Sequence, residues 1–330
     1  MHPHGDIRGR HDASVPERAT ESAPTNSAAR RGIATALGHL LYRSGLYRLA
    51  WRNRAVVVLF HRVDDRFPED PLTLPRARFA AFCDFFARYF VVVTLGELLE
   101  RLRRGKDISR HLVITFDDGY RDNHRVAAIE LRERSLPACF FITSGFVGSE
   151  RVAWWDARQA IRSEWMSWSE VRSLYGQGFE VGAHTVTHAD CGQIGGEHAA
   201  REIAGSKAHL EAVVGAPIVY FAYPYGAPGQ MTEENRSIVR AAGFECCVSA
   251  YGGTVDPDSD PFHLRRVPLS QWYRSPYQFG FDAIRLWLTN RLRRPDELID
   301  IARVADRGAV PSSTVRAGGH ARDESTVSRL

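Results

Sequence analysis

The amino-acid sequence predicts an α/β protein built on a parallel β-sheet, either open or closed into a barrel. From residue 55 onwards, short β-branched or aromatic runs alternate with longer amphipathic runs. This spacing is typical of parallel strands joined by right-handed helical crossovers. Three of the apolar runs are followed directly by motifs rich in Asp, His or Tyr. These motifs would meet at the carboxyl edge of the sheet, where α/β proteins carry their functional groups.

Seven strands and a candidate eighth follow from the apolar runs. The strands are predicted over 56–60, 90–94, 112–116, 138–142, 179–183, 218–223 and 244–249, with the candidate eighth over 264–268. Helices are predicted over 76–89, 95–104, 122–134, 169–175, 197–214 and 233–242. No Gly-rich phosphate loop opens any of these helices, so the sequence gives no support for nucleotide binding.

Composition limits the class of protein. The 330 residues are 44% hydrophobic and 25% charged, which allows a sizeable core and a soluble surface. The formal net charge is only +4 and no nucleic-acid-binding motif accompanies it, so a nucleic-acid partner is not expected. The five cysteines are odd in number and two of them, Cys246 and Cys247, are adjacent, which argues against a secreted disulfide framework.

The chain divides into a main domain with flanking segments. We place the α/β domain at 55–275, a C-terminal helical segment at 276–305, and disordered tails at 1–30 and 306–330. The first thirty residues lack the apolar core of a signal peptide, and no apolar stretch approaches the ~18 residues of a membrane-spanning helix. We therefore expect a cytoplasmic protein.

The segment preceding the domain is basic. Residues 30–54 contain six arginines and no acidic residue, interleaved with leucines and Trp51. This pattern predicts a basic amphipathic helical segment over 31–54 that either lies on an anionic membrane surface or packs on the domain with a solvated basic face. Residues 281–292, with Trp287, could assist a peripheral membrane contact.

Two of the motifs together indicate a metal site. Asp117 and Asp118 follow one predicted strand, and His184 and His188 follow another. The histidine spacing would bring two imidazoles to one side if the backbone took a helical turn there. Either motif alone is weak, since such a histidine pair arises by chance and an Asp pair often only caps a turn. Combined at two strand ends, Asp118, His184 and His188 suit zinc or another divalent transition metal such as cobalt, nickel or manganese, with open positions for water and substrate.

Such a metal would supply hydrolytic chemistry. A divalent ion lowers the pKa of its bound water from about 15.7 to about 7, and it polarises the carbonyl under attack. Asp117 would accept the proton of that water, which acts as the nucleophile. The alternative is that Asp117 only orients a ligand histidine.

The motifs resemble those of a known family. Residues 115–119 (Thr-Phe-Asp-Asp-Gly), 184–188 (His-Thr-Val-Thr-His) and 223–226 (Tyr-Pro-Tyr-Gly) are similar to the first three motifs of the polysaccharide deacetylase family, carbohydrate esterase family 4. The similarity runs from about residue 56 to residue 269. The resemblance implies a distorted (β/α)7 barrel that removes N- or O-acetyl groups from sugars with the help of a metal ion.

The resemblance also implies roles for individual residues. Asp117 matches the catalytic base, and Asp118, His184 and His188 match the metal ligands. Tyr225 matches the residue whose backbone N–H helps to hold the oxyanion. We expect Tyr223 and Tyr225 to border the acetyl pocket, with Pro224 between them on the substrate side, although Tyr223 could equally be a buried strand residue.

Two departures from the family pattern bear on activity. Ala222 stands where the third motif usually has an arginine that tunes the catalytic Asp, and no late Leu-x-His motif supplies a general acid. His263 is the nearest late candidate. Residues 59–63 (Leu-Phe-His-Arg-Val), however, resemble a segment found early in the poly-N-acetylglucosamine deacetylase branch, in which the motif order is permuted. We therefore prefer His61 as the acid, because it closes an apolar strand just as Asp117 does; the alternative is a histidine hydrogen-bonded in a turn.

A tryptophan-rich stretch is the candidate sugar platform. Trp154 and Trp155, followed by Trp165 and Trp168, could stack on sugar rings, with Trp155 the preferred contact; the alternative is packing between helices and barrel. The leading hypothesis is a metal-dependent hydrolase that removes N-acetyl groups from a polysaccharide, an oligosaccharide or a lipid-linked sugar. The alternatives are an O-deacetylase or deformylase, and a non-catalytic glycan-binding protein on the same fold.

Overall fold

The structure is a computed structural model that describes residues 24–67 and 70–292. The tail predicted over 306–330 lies outside the described residues, as do 1–23 of the predicted N-terminal tail and 293–305 of the predicted C-terminal segment. Within the described ranges, no helix is both long enough and apolar enough to cross a membrane.

Helices and strands alternate along the described chain as the apolar pattern predicted. The strands are β1 (Ala55–Phe60), β2 (Arg62–Val63), β3 (Thr73–Leu74), β4 (Val91–Val92), β5 (His111–Phe116), β6 (Cys139–Ile142), β7 (Glu180–Ala183), β8 (Tyr220–Ala222), β9 (Cys246–Val248) and β10 (Val267–Pro268). The helices are α1 (Pro24–Arg43), α2 (Tyr47–Ala50), α3 (Arg76–Tyr89), α4 (Leu95–Arg103), α5 (Ala128–Glu133), α6 (Trp154–Ala157), α7 (Trp168–Gly176), α8 (Gly196–Val214), α9 (Glu233–Ala241) and α10 (Pro276–Leu292). A π-helical turn (Asn123–Ala127) precedes α5, and a 3-10 turn (Pro261–His263) precedes β10.

The main sheet is parallel throughout and curls into a distorted barrel. Its strands lie in the order β10-β1-β5-β6-β7-β8-β9, and β4 pairs with β5 in addition. Leu264 forms a parallel bridge to Val248 in β9, while Val267 pairs with Val58 in β1. The segment predicted as the eighth strand therefore contacts both edges of the sheet, and the predicted (β/α)7 barrel is confirmed.

Alternation along each strand separates two apolar layers. The outward-facing layer packs under helices α3, α5, α7, α8 and α9, with Phe60, Phe116, Phe140 and Phe221 among its strand residues. The inward-facing layer is smaller and includes Val57, Val113, Phe141, Ala222 and Val248. Because both faces of the sheet are covered, the strands are apolar at nearly every position.

Helix α4 closes the amino-terminal end of the barrel. Leu95, Leu98 and Leu99 belong to the inward-facing layer. The carboxylate of Glu180, the first residue of β7, accepts the backbone N–H groups of Leu95 and Gly96 at 2.7 and 2.8 Å. A carboxylate at a helix N-terminus satisfies otherwise unpaired amides, so this contact ties α4 to the amino end of β7.

Several boundaries differ from those predicted. The strand predicted over 90–94 is reduced to β4, because Thr94 leaves the sheet to cap α4 by accepting the Glu97 N–H at 3.0 Å. The helix predicted over 122–134 begins with the π-helical turn, and α1 begins at Pro24, earlier than the predicted boundary at residue 31. Helix α6 lies in a stretch that the sequence left without an assigned element.

Helices α1 and α10 pack closely because glycines stand at their crossing. A Cβ added to Gly38 would lie 2.0 Å from the backbone oxygen of Tyr277, and one added to Gly280 would lie 2.5 Å from the Tyr42 ring. The Tyr42 hydroxyl accepts the indole N–H of the buried Trp51 at 2.9 Å. The segment 31–54 is thus part of the folded domain.

This packing generates a prediction with a control in the same helix. Gly38→Ala should lower the free energy of unfolding by about 1–3 kcal/mol, because the new methyl group meets a backbone atom that cannot move aside. Gly32→Ala should leave stability unchanged or raise it by up to about 1 kcal/mol, because nothing lies within 4 Å of its added Cβ. Urea denaturation of both variants measures the difference; equal effects would contradict the described crossing.

Candidate active site

The candidate site lies at the open, carboxyl end of the barrel. Phe60 in β1 pairs with Phe116 in β5, so the residues that follow, His61 and Asp117, stand side by side at the same edge. The Asp117 N–H extends this pairing by donating to the Phe60 carbonyl at 3.0 Å. Strand β7 ends one residue before His184. The parallel register therefore brings these motifs to one mouth.

Three of the predicted side chains converge there. One ligand atom from each of Asp118, His184 and His188 lies within 4.8 Å of the others. The Asp118 Oδ1 atom is 3.4 Å from His184 Nε2 and 3.2 Å from His188 Nε2. Ligand bonds of about 2.0–2.1 Å in a tetrahedral array put neighbouring donor atoms about 3.3 Å apart. The spacing of the three atoms fits a zinc-sized ion.

The surroundings of these atoms also fit a cation. Asp118 Oδ1 is buried and has no hydrogen-bond partner within the described residues, which leaves it free to bind an ion. Burial tends to raise the pKa of Asp118, but close contact with the imidazoles of His184 and His188 outweighs burial and keeps this pKa well below its usual range. His184 Nδ1 lies 2.7 Å from the Ala222 carbonyl, a contact that leaves Nε2 directed at the site. These residues could hold a divalent metal.

The four-residue spacing of His184 and His188 suggested a helical turn between them. The structure has no helical turn there. Residues 184–188 form an irregular loop in which Thr185 and His188 have φ angles of 61° and 59°. The buried carboxylate of Glu202 in α8 accepts the N–H groups of Val186 and Thr187 at 2.9 and 2.8 Å. Glu202 thus positions the loop over residues 184–188. No local sequence signal identified Glu202 as part of the site.

Backbone strain is concentrated at this site. Asp118, Thr185, His188 and Tyr225 all have positive φ, between 59° and 73°. Such a conformation is rare for β-branched and bulky side chains and costs of order 1–3 kcal/mol per residue. Four strained residues around one mouth indicate a geometry maintained by the surrounding fold.

Arg266 is a second residue that sequence reasoning missed. Its guanidinium donates to both carboxylate oxygens of Asp117, at 2.8 and 2.6 Å, and to the Thr115 hydroxyl at 3.1 Å. Arg266 and Asp117 are both buried, and the Ser249 carbonyl accepts the Arg266 Nε–H. Ala222 therefore does not leave Asp117 without a cationic partner, because Arg266 reaches it from the segment before β10.

The structure separates the two candidate acids. His61 lies close to Asp117, Asp118, His184 and Arg266; burial lowers its pKa, and the two carboxylates oppose this effect. His263 instead lies against Tyr251 and Arg236, with its Nε2 atom at the Tyr251 hydroxyl and its Nδ1 atom 3.2 Å from the Arg236 guanidinium. The geometry brings His61 to the mouth and leaves His263 engaged elsewhere.

Aromatic side chains form one wall of the mouth. The Trp155 ring lies 4.6 Å from the His188 ring, and the Tyr225 ring lies 4.9 Å from it on another side. Trp154 is half exposed, and its indole N–H donates to the Tyr225 hydroxyl at 3.2 Å. Trp165 is buried against Tyr120. Of the predicted platform, Trp154 and Trp155 therefore reach the site.

The third motif, residues 223–226, brings fewer side chains to the mouth than predicted. Tyr223 is fully buried in the outward-facing layer and packs against Phe221, so its side chain cannot border the acetyl pocket. This position follows from strand alternation, which sends Phe221 and Tyr223 to the helix side. Pro224 is buried as well, and its carbonyl accepts the Gly226 N–H at 2.7 Å to shape a tight turn. Tyr225 alone presents its side chain at the mouth, and within the described residues nothing accepts its backbone N–H.

A buried ion-pair network supports the aromatic wall. Arg62, next to His61, donates to Asp156 at 2.6 Å and also binds Asp70. The Tyr120 ring lies 4.8 Å from the Arg62 guanidinium, and its hydroxyl accepts the Trp155 indole N–H at 2.7 Å. Helix α6 is thereby tied to the strand end that carries His61.

Comparison with known proteins supports the family resemblance of the motifs. Residues 104–247 match the sequence profile of the family described as Polysaccharide deacetylase. The chain is 21% identical over 216 residues to the Bacillus subtilis (strain 168) protein "Putative polysaccharide deacetylase YxkH", covering 65% of this chain and 71% of that protein. The resemblance of the motifs to the polysaccharide deacetylase family is thus confirmed over this part of the chain. This resemblance implies a carbohydrate deacetylase.

Solved structures share the fold. IcaB from Ammonifex degensii superposes with a TM-score of 0.59 at 24% identity, covering 70% of this chain and 97% of that one. The Streptococcus pyogenes deacetylase PplD, solved in complex with acetate, superposes with a TM-score of 0.59 at 16% identity, covering 70% of this chain and 98% of that one. At these identities the likeness concerns the fold, and it supports the barrel described above.

The Asp117–Arg266 pair predicts a strong energetic coupling. Arg266→Met should lower the free energy of unfolding by about 3–5 kcal/mol, because it leaves a buried carboxylate unpaired, and adding Asp117→Leu should restore much of the loss. As a control, Arg101→Met removes a partly exposed pair with Glu97 and should cost less than about 1 kcal/mol. Urea denaturation provides the measurement; additive losses in the double variant would contradict the coupling.

The Asp118–His184–His188 geometry predicts metal retention. Metal-stripped protein should recover one equivalent of zinc after incubation and dialysis, whereas His188→Ala should retain far less, since a ligand is lost. His39→Ala is the control, because His39 is exposed on α1 and its ring stacks on that of Tyr277 in α10. Elemental analysis gives the stoichiometry. Full retention by the His188 variant, or equal loss by the His39 variant, would refute the assignment.

Proposed function

We propose that this protein is a metal-dependent hydrolase that removes N-acetyl groups from a carbohydrate. The observation that carries the proposal is the convergence of Asp118, His184 and His188 beside a separate buried carboxylate, Asp117. The family resemblance supports deacetylation of a carbohydrate. We assign zinc as the preferred ion because the donor set is two imidazoles and one carboxylate.

Asp117 and Asp118 are adjacent in sequence but have different roles. A bound divalent ion would activate water and polarise the acetyl carbonyl. Asp118 faces the two histidines and serves the ion. Asp117 is fixed by the two-pronged contact with Arg266, and its remaining lone pairs can accept the proton of the attacking water.

The remaining steps use residues on either side of this pair. The Tyr225 backbone N–H can donate to the oxyanion that develops on the former carbonyl oxygen. An amine leaves poorly unless it is protonated, and His61, beside Asp117, is the group that we assign to deliver this proton. Trp155 lies at the mouth next to His188 and offers an apolar surface to a sugar ring.

Two sequence features had raised the prospect of a non-catalytic binding protein on the same fold: Ala222 and the missing late histidine motif. Two contacts support the enzyme instead: Arg266 pairs with Asp117, and His61 lies close to Asp117 and Asp118. An O-acetyl or formyl group would use the same residues, so the acyl group has to be decided by assay.

The decisive assay is acetate release by zinc-loaded protein from a panel of N-acetylated and O-acetylated oligosaccharides. We expect release from at least one N-acetylated glycan, and Asp117→Asn should lower kcat by a factor of about 10²–10⁴. Release from O-acetylated glycans alone would favour the esterase alternative. No release from any substrate by protein that retains one equivalent of zinc would contradict the proposal.

The same assay distinguishes the two candidate acids. His61→Asn should lower kcat on the N-acetylated substrate by a factor of about 10² or more, because the amine then leaves without its proton donor. His263→Asn should have little effect, because His263 lies against Tyr251 and Arg236. Thermal denaturation of both variants verifies folding; an inactive His263 variant beside an active His61 variant would reverse the assignment.

A further inference from the structure

Helix α1 carries apolar residues on two faces. Its inner face, with Ala34, Gly38 and Tyr42, packs on α10. On the opposite side, Ile33 and Leu40 are 61% and 67% exposed. A helix docked on a soluble domain normally places polar residues on its outer side, so these side chains require an explanation.

The exposed residues form a stripe. At 3.6 residues per turn, Ile33, Leu37 and Leu40 lie within about 60° of one another around the helix axis. Just past the end of α1, Leu46 and Leu49 are also exposed, at 55% and 70%. We refer to these five residues as the α1–α2 stripe.

The stripe is held outwards by the packing beneath it. Tyr42, Tyr47 and Trp51 are buried, and the Tyr42 ring stacks on that of Tyr47 at 4.8 Å. The close approach of α1 to α10 fixes the rotation of the helix. The exposed leucines are therefore a consequence of the fold and do not come from a loosely attached helix.

Positive charge flanks the stripe on both sides. Helical geometry puts Arg30 and Arg43 about 60–80° from Ile33, in opposite directions around the axis. Arg48 and Arg52 are also exposed, and none of these four arginines forms an ion pair with a carboxylate in the described part of the chain. No acidic residue occurs anywhere between positions 22 and 63. Long arginine side chains can extend from an apolar surface towards anionic groups.

These observations favour one occupant. A second copy of the chain, related by a twofold axis, would place the same arginines against one another, which is unfavourable. A lipid surface with anionic head groups would accept the leucines in its acyl boundary and the arginines at its head groups. We propose that the α1–α2 stripe docks the protein peripherally on an anionic lipid surface.

Docking by this stripe would also orient the barrel. Near the start of α1, the Arg31 guanidinium lies 4.9 Å from the ring of Trp272, which is half exposed and follows the carboxyl end of β10. The far end of the stripe leads into β1 at the amino edge of the sheet. The stripe thus runs along the side of the barrel, from the carboxyl edge that carries the site to the amino edge.

The test is sedimentation of the full chain with vesicles of phosphatidylcholine, with and without phosphatidylglycerol. The protein should sediment with the anionic vesicles and much less with the neutral ones. Ile33→Ser/Leu40→Ser should lower the partition coefficient about tenfold or more, since two inserted side chains become polar. Arg30→Gln/Arg43→Gln should lower it about fivefold for each arginine.

Matched variants control for general changes in the surface. Val152→Ser/Tyr175→Ser removes two other exposed apolar side chains, and Arg132→Gln/Arg162→Gln removes two other exposed arginines; both should bind as the unaltered chain does. Thermal denaturation confirms that each variant is folded. Deleting residues 1–54 is a poorer test, because it would also remove the buried Tyr42 and Trp51.

Three outcomes would overturn the proposal. The first is failure of the full chain to bind anionic vesicles at low salt. The second is a loss of binding in the control variants equal to that in the stripe variants. The third is a dimer in solution that Ile33→Ser/Leu40→Ser dissociates, without any vesicle binding, which would identify a second copy as the occupant.

Discussion

Two adjacent carboxylates are buried at the mouth of an otherwise apolar barrel, and the organisation of the site follows from how each is partnered. A buried charge is costly unless it is paired and hydrogen-bonded. Asp117 is paired by Arg266, which reaches it from the segment before β10. Asp118 faces two imidazoles and has an oxygen that no donor satisfies within the described residues, the arrangement expected of a cation ligand. One carboxylate is thus held by an arginine, and its neighbour keeps an oxygen that could bind a cation.

Strained backbone around these carboxylates is held in place by contacts from neighbouring elements. Asp118, Thr185, His188 and Tyr225 adopt positive φ angles that cost stability, and each lies in a loop just beyond a strand. Contacts from more regular elements compensate. Glu202 in α8 holds the loop between the histidines, and the Arg62–Asp156 ion pair holds the helix that carries Trp155. Residues at the candidate site thus adopt backbone angles that their side chains disfavour. Buried polar contacts from neighbouring elements maintain these backbone angles.

The sequence predicted the parts that depend on local pattern. Apolar runs gave the strands and the parallel barrel, and strand-end motifs brought Asp117, Asp118, His184 and His188 to one mouth. The contribution of Arg266 could not be predicted, because it lies 149 positions from Asp117 in the sequence and its neighbour Arg265 carries the same charge. Tyr223 was misplaced because a strand buried on both faces gives no signal of which side faces the site. The position of β4 and the π-helical turn depend on capping and packing, which apolar periodicity does not record.

The central claim concerns the atoms around the metal ion, and X-ray absorption spectroscopy of the zinc-loaded full chain tests it most directly. The account predicts a first shell of nitrogen and oxygen at about 2.0–2.2 Å, with the outer-shell scattering of two imidazoles and no sulfur. His184→Ala should remove the scattering of one imidazole. A shell that contains sulfur, or one that keeps two imidazoles in that variant, would contradict the account.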